Sequence, residues 1–160
     1  MSSTPFSPGI RPSDSSFFRA REPCSDQLQG PLRRLMTVPS LGPVTASAIA
    51  ASIEDVSAFS GPREFAAFLG LTPRQNSSGG KEQLGRISKM GNRYLRKLLV
   101  VGAHAVLYHR KPHEDALRSF AKKLMQTKPF KLVAVALANK MARIAFAIMR
   151  GRTTYSAAPV

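Results

Sequence analysis

From Pro129 to Arg150 the apolar residues Val133, Leu137, Met141, Ile144 and Ile148 recur at helical spacing, with Lys131, Lys140 and Arg143 elsewhere on the circumference. Such a pattern folds as an amphipathic helix whose apolar side must be covered by other elements. The same period runs from Asn92 to about His109, with Leu95, Leu98, Leu99, Gly102, Val106 and Leu107 inside and Arg93, Arg96 and Lys97 toward solvent or phosphate. Pro112 closes that helix, and His113 to Met125 forms another. Upstream, Leu32, Leu35 and Met36, then Val44, Ala48 and Ile49, mark two helices that end around Ile53. Between them Val38-Pro39-Ser40-Leu41-Gly42-Pro43 reads as a tight turn. A short helix from Pro62 to Leu69 follows, with Phe65, Phe68 and Leu69 on one face and Gly70 ending it.

The fold class is therefore all-α, or mainly α: a helical domain with a helix-hairpin-helix-like N-terminal unit and a long functional loop. That loop spans Thr72 to Lys89, is rich in Gly and polar residues, and reads as a long loop or a small irregular hairpin. Residues 1–30 are expected to be a disordered Ser/Pro-rich arm, 31–150 the helical domain and 151–160 a flexible tail. At 160 residues and 43% apolar content, the chain is long enough to bury a real core.

Charge narrows the function. There are 24 Lys and Arg against 9 Asp and Glu, leaving +15 and a pI near 11.1. Residues 1–80 carry seven basic and six acidic side chains, residues 81–160 seventeen and three, so the net is +1 against +14. The second half is the part expected to lie along a polyanion, with a membrane surface as the weaker reading. No uninterrupted apolar run reaches the roughly 18 residues of a membrane-spanning helix. Cys24 is the only cysteine, so there is no disulfide framework, and no apolar leader segment opens the chain. A cytoplasmic, nucleoid-associated location is expected.

Two segments offer contacts to a phosphate. Leu35 to Ala50 has the form of a helix-hairpin-helix, in which the amides around Gly42 and the next helix N-terminus face an anion. Ser40 stands where the turn's first glycine usually does, a place that favours positive φ. A plain helical hairpin that binds nothing fits the same residues. In the loop Gln75 to Lys89, Ser77 and Ser78 lie beside Gly79 and Gly80, which let a hydroxyl stand exposed on a sharp turn. Lys81, Arg86, Lys89, Arg93 and Arg96 follow. A serine attacks a phosphodiester when it is deprotonated and the transition-state charge meets cations. A Ser-Gly linker, with Ser88 capping the next helix, is the other reading of that composition.

No metal site is legible. Glu54-Asp55 and Glu114-Asp115 are neighbours in sequence rather than a cluster, and His104, His109 and His113 straddle a helix end.

Leu35-Met36-Thr37-Val38-Pro39, Gly42-Pro43-Val44-Thr45-Ala46, Leu69-Gly70-Leu71-Thr72-Pro73, Ser78-Gly79, Gly85-Arg86-Ile87-Ser88-Lys89 with Gly91-Asn92, and Leu95-Arg96-Lys97-Leu98-Leu99 form a linked set. In order and spacing this set resembles the C-terminal domain of the Piv/MooV-type transposases, the insertion sequence family numbered one-ten. The resemblance covers about Leu32 to Arg150. It implies a serine-dependent DNA transposase in which Ser78, with Ser77 in reserve, is the nucleophile that joins a DNA phosphate during strand exchange. It also implies a separate RNase H-like domain that holds Mg²⁺ on an acidic tetrad, and a structured guide RNA from the element. Nothing before Leu32 resembles that domain, so no cofactor is expected in this chain, and strand exchange is expected only when the acidic domain is supplied. Lys81, Arg86, Lys89, Arg93 and Arg96 would clamp phosphates, and Gly42 would mark the duplex anchor. Partners would be DNA, the guide RNA, and either further copies of the chain or a full-length transposase, with no membrane. A second reading is a non-catalytic nucleic-acid-binding remnant of a truncated insertion element, and a third an interaction protein that oligomerises through the last helix.

Overall fold

The computed structural model describes residues 26–53, 55–75, 84–109 and 115–156. Six helices and one small hairpin make up these segments: α1 (Asp26–Leu35), α2 (Pro43–Ser52), α3 (Pro62–Phe68), β1 (Pro73–Gln75), β2 (Leu84–Ile87), α4 (Arg93–Tyr108), α5 (Ala116–Met125) and α6 (Phe130–Gly151). The mainly-α class is as the periodicity required. α6 is the central element and packs against α1, α3, α4 and α5. Its inner face buries Val133, Leu137, Met141, Phe146 and Ile148, with Ala134, Ala138, Ala142 and Ala145 between them. The alanines let neighbouring helices approach closely, while each large side chain contributes about 2 kcal/mol of burial.

α1 begins at Asp26 and carries Pro31 inside it, so the helix starts within residues assigned above to a disordered arm. Gly30-Pro31 reads as a helix stop in isolation, but buried Leu35 ties the helix to the core. α2 is rich in small residues, starts with Pro43 in its first turn and buries Thr45, Ala46 and Ile49. A single 3₁₀ turn, Val56–Ala58, leads on to α3. There Phe59 lies edge-on to Phe65, with centroids 5.4 Å apart, and Phe65 meets Phe146 of α6 at 5.7 Å.

α3 ends as its sequence specifies. Gly70 has φ +68, its N–H donates to Ala67 O at 2.8 Å, and the Leu71 N–H donates to Ala66 O at 3.0 Å. This paired closure satisfies the last carbonyls and turns buried Leu71 inward. The segment after Thr72 is the irregular hairpin: β1 and β2 pair antiparallel, Pro73 opposite Ile87 and Gln75 opposite Leu84, with a register irregularity between. Pairing continues beyond the strands, since the Ser88 N–H donates to Thr72 O at 2.9 Å and the Lys89 N–H to Gly70 O at 3.3 Å. Ser88 does not cap α4. Asn92 does, its side chain accepting from the Tyr94 N–H at 3.0 Å and the Leu95 N–H at 3.2 Å.

α6 stops at Arg152, whose φ of +50 reverses the chain. Residues 153–156 then return to the α1–α2 turn instead of trailing away, and the Tyr155 N–H donates to Thr37 Oγ1 at 2.8 Å. The Tyr155 ring packs on the core, and its buried hydroxyl has no partner among the described residues. Burial, with Asp115 nearby, holds that phenol above its ordinary pKa.

By length and composition α6 is apolar enough to cross a membrane, although no uninterrupted run in the sequence is that long. Averaged over a helix, the scattered Lys131, Lys140, Arg143 and Arg150 do not offset its alanines and branched residues. Half of the stretch is buried against the other helices, the arrangement of a core helix.

Candidate nucleic-acid interface

Among the described residues none closes over the face of α6 opposite the core. Leu132, Val135 and Ala136 on that face and half-buried Ile144 at its edge form, with Leu71, Ile87 and Phe120, the apolar floor of an open groove of about 1220 Å³. α5 contributes Phe120, and the hairpin makes the opposite wall through Pro73, Gly85, Arg86 and Ile87. Five cations line the groove: Arg86 and Lys89 from the hairpin side, Lys131, Lys140 and Arg143 from α6. Among the described residues none that lines it is acidic.

Lys140 shows how crowded this charge is. Its ammonium lies 4.1 Å from the centroid of the Phe120 ring, a cation–π contact standing where a carboxylate would normally pair a half-buried lysine. Burial, then the charges of Arg143 and Lys123, hold its pKa below the usual lysine value. All three causes penalise the charged form, and the opposite charge of an arriving anion would favour it.

The hairpin wall is fixed at its base by two backbone crossings. Gly91, at φ +97, lies against the Phe68 carbonyl so closely that a Cβ would collide with it, and a Cβ on Gly70 would collide with the Met90 carbonyl. Only glycine satisfies both the positive φ and the contact. Arg96 closes the same junction: half-buried, its Nη1 donates to Leu69 O at 3.0 Å and Met90 O at 3.5 Å. Asn139 of α6 donates from Nδ2 to Leu71 O at 3.2 Å, and Arg74 donates to Ser88 O at 3.3 Å. Lys89 itself sits in the left-handed region at φ +55, a conformation that costs a side chain about 1 kcal/mol.

The site residues named from the sequence are distributed as follows. Arg86 and Lys89 are exposed and meet in the groove. Arg93 and Lys97 are exposed on the first turns of α4, away from its lining, whereas Arg96 faces the loop carbonyls. Ser77, Ser78 and Lys81 lie outside the described residues, between the ends of β1 and β2. Gly42 is the exposed N-cap of α2, with φ −69 and no atom within 4 Å of where a Cβ would stand. The positive φ of the α1–α2 turn falls on Ser40, at +66, the position of the expected glycine.

Sequence reasoning left Lys131, Lys140 and Arg143 as mere circumference and did not single out Phe120. The usable signal was the second face of α6: Leu132, Ala136, Asn139, Lys140 and Arg143 also share a helical spacing.

Among the described residues no three His, Cys, Asp or Glu side chains gather as metal ligands. Asp55 is committed to the Ser57 N–H at 2.8 Å and the Ser57 hydroxyl. Glu64 is committed to the Ser60 N–H at 2.6 Å and the Ser60 hydroxyl. The hydroxyl bonds, reinforced by the backbone bonds, lower both pKa values. His104 Nδ1 is bonded to Val100 O at 2.8 Å and packs on Phe130. These residues do not fit a Mg²⁺ site, and Glu54, Glu114 and His113 lie outside the described residues.

Known proteins match most of this chain. The model of the Transposase IS116/IS110/IS902 family matches residues 32–118. A probable family 20 transposase of Pseudomonas aeruginosa is 48% identical over 124 residues, covering 78% of this chain and 37% of that protein. The transposase for insertion sequence element IS1111A of Coxiella burnetii is 42% identical over 123 residues, covering 77% and 34%. The transposase for insertion sequence element IS1328 of Yersinia enterocolitica is 38% identical over 124 residues, covering 78% and 37%. The chain thus spans about a third of the length of the curated relatives it matches.

Proposed function

We propose, from the premise that this chain belongs to the IS116/IS110/IS902 family of transposases, that it is the part of such an enzyme that grips DNA and supplies a serine for strand exchange. The observation that carries this reading is a juxtaposition. The hairpin that brackets Ser77 and Ser78 is also one wall of a groove lined by five cations and no described acid. Phosphates held by Arg86, Lys89, Lys131, Lys140 and Arg143 bring a strand to the hairpin whose two strands flank Ser77 and Ser78 in sequence.

Ser78 is the nucleophile in this reading, with Ser77 as its reserve. Its Oγ bonds to the phosphorus of a phosphodiester, the bond from phosphorus to one deoxyribose oxygen breaks, and the serine proton passes through solvent to that leaving oxygen. Attack by a deoxyribose hydroxyl of another strand reverses the step and frees the serine. Cations at the rim offset the charge gathered on the non-bridging oxygens. Arg93 and exposed Lys97 extend the basic surface, Lys81 is a further phosphate clamp in this reading, and Arg96 serves by holding the loop base. The helix pair α1–α2, as a helix-hairpin-helix, gives a second phosphate contact through the amides after Gly42. An acidic domain supplied alongside holds the Mg²⁺, and guide RNA and further copies of the chain complete the assembly.

The test is strand exchange with a transposase in which this chain is joined to an acidic catalytic domain. Ser78→Ala is expected to abolish covalent protein–DNA joining and exchange while leaving DNA affinity within about twofold. Full exchange by Ser78→Ala sinks the assignment, and loss only in Ser77→Ala moves it one residue. The binding half is tested separately: log affinity against log salt is expected to fall steeply, at about 0.9 per phosphate neutralised. A flat salt dependence removes the DNA-binding reading as well.

A further inference from the structure

We propose that the groove between the hairpin, α5 and α6 holds an unpaired segment of DNA, its bases on the apolar floor and its phosphates on the cationic rim. The proposal rests on the reading that the chain acts on DNA, and it names the form of DNA the groove accepts.

A duplex hides the faces of its bases in its own stack and offers phosphates and base edges outward. Such a surface finds partners for Arg86, Lys89, Lys131 and Arg143, but none for Leu132, Val135, Ile144 and Phe120. An unpaired strand offers both at once, which is why single-strand binding sites combine a cationic track with apolar and aromatic platforms. The dimensions agree. Along α6 the lining runs from Leu132 to Ala147, about 22 Å at 1.5 Å per residue, which is room for about six stacked nucleotides at 3.4 Å each.

The Lys140–Phe120 contact adds a moving part. Without a ligand the ammonium rests over the ring, 4.1 Å from its centroid, beside Arg143 and Lys123 and partly desolvated. A phosphate at the rim draws the ammonium outward and uncovers the face of Phe120 for a base. DNA is the strand assigned because the proposed function acts on DNA; among the described residues no hydroxyl or carboxylate lines the groove to accept from a 2′-hydroxyl. The one lining amide, Asn139, already spends its Nδ2 donor on Leu71 O.

The experiment uses the whole 160-residue chain and three labelled probes: a ten-nucleotide DNA strand, the same sequence as RNA, and a hairpin DNA duplex. Leu132→Ser alters a half-exposed floor residue, and Phe120→Leu removes the ring while keeping apolar bulk. Each variant is expected to weaken single-stranded DNA about tenfold, the scale of one lost base contact, and to leave the duplex within about twofold. Should Phe120→Leu perturb the fold, as read by thermal melting, Leu132→Ser carries the test alone. Parallel loss on duplex and single strand, or loss on neither, overturns the proposal, the second outcome pointing to a protein segment as the occupant. RNA bound more tightly than DNA overturns the assignment to DNA. Failure of the unaltered chain to bind any of the three probes overturns the broader reading too.

Discussion

The turn between α1 and α2 and the groove beside α6 both face a phosphate in the proposed function, yet they are built on opposite plans. The turn offers backbone alone: Gly42 is an open N-cap, and α2 has no basic residue in its last turn and no acidic one in its first. The groove offers side chains: two cations from the hairpin and three from α6, between 42 and 57 residues apart in sequence, share one apolar floor. The turn is a local motif, complete within about ten residues. The groove exists only because three distant segments are held together, so its strength depends on whatever fixes the hairpin to α6.

The largest effect is therefore expected at that joint. Gly91→Ala places a methyl against the Phe68 carbonyl at φ +97 and is expected to cost about 3 kcal/mol, a fall in Tm of about 10 °C. Thermal melting followed by circular dichroism measures it. Binding at a temperature where the variant is folded should still be weakened, because the hairpin wall shifts; unchanged melting would mean that the crossing does not fix the groove.

Next is the rim itself. Lys140→Ala with Arg143→Ala removes two cations, so the slope of log affinity against log salt for single-stranded DNA should fall by about 1.4. An unchanged slope would hand the phosphate contact to the turn and reverse the comparison. Gly42→Asp probes the turn directly: the carboxylate caps α2, stabilising it by about 0.3 kcal/mol, but repels a phosphate. Duplex affinity should drop about fivefold, less than for the rim variant, if helix-dipole contacts carry about 1 kcal/mol. The smallest change is Ser40→Gly. Relieving a non-glycine residue at φ +66 should raise stability by about 0.5 kcal/mol, with no change in affinity.

The elements were largely legible. Pro62 at the start of α3, Gly70 at its end, and the 3.6-residue period of α4 and α6 specify local structure through φ restriction, caps and amphipathicity, and the structure follows them. Errors fall where tertiary contacts override local preference. Gly30-Pro31 looks like an end, but buried Leu35 carries α1 back through it to Asp26. The residues after Gly151 look like a tail, but Tyr155 docks on the core and bonds to Thr37. Arg96 looks like one more cation on a basic helix, yet the nearest partners for its guanidinium are carbonyls 6 and 27 residues away.

By itself the sequence determined that this chain is helical, that its positive charge lies in the second half, and that its motifs are those of a transposase family. Each of these is written in neighbouring residues or in simple counts. Only the tertiary structure decided which cations act together. A helical period says which face of α6 is apolar enough to be buried, but it is silent on what is packed beside the opposite face. That depends on where α5 and the hairpin come to rest, and long-range packing, not local spacing, sets Lys140 over Phe120 and brings Arg86 and Lys89 into the same groove.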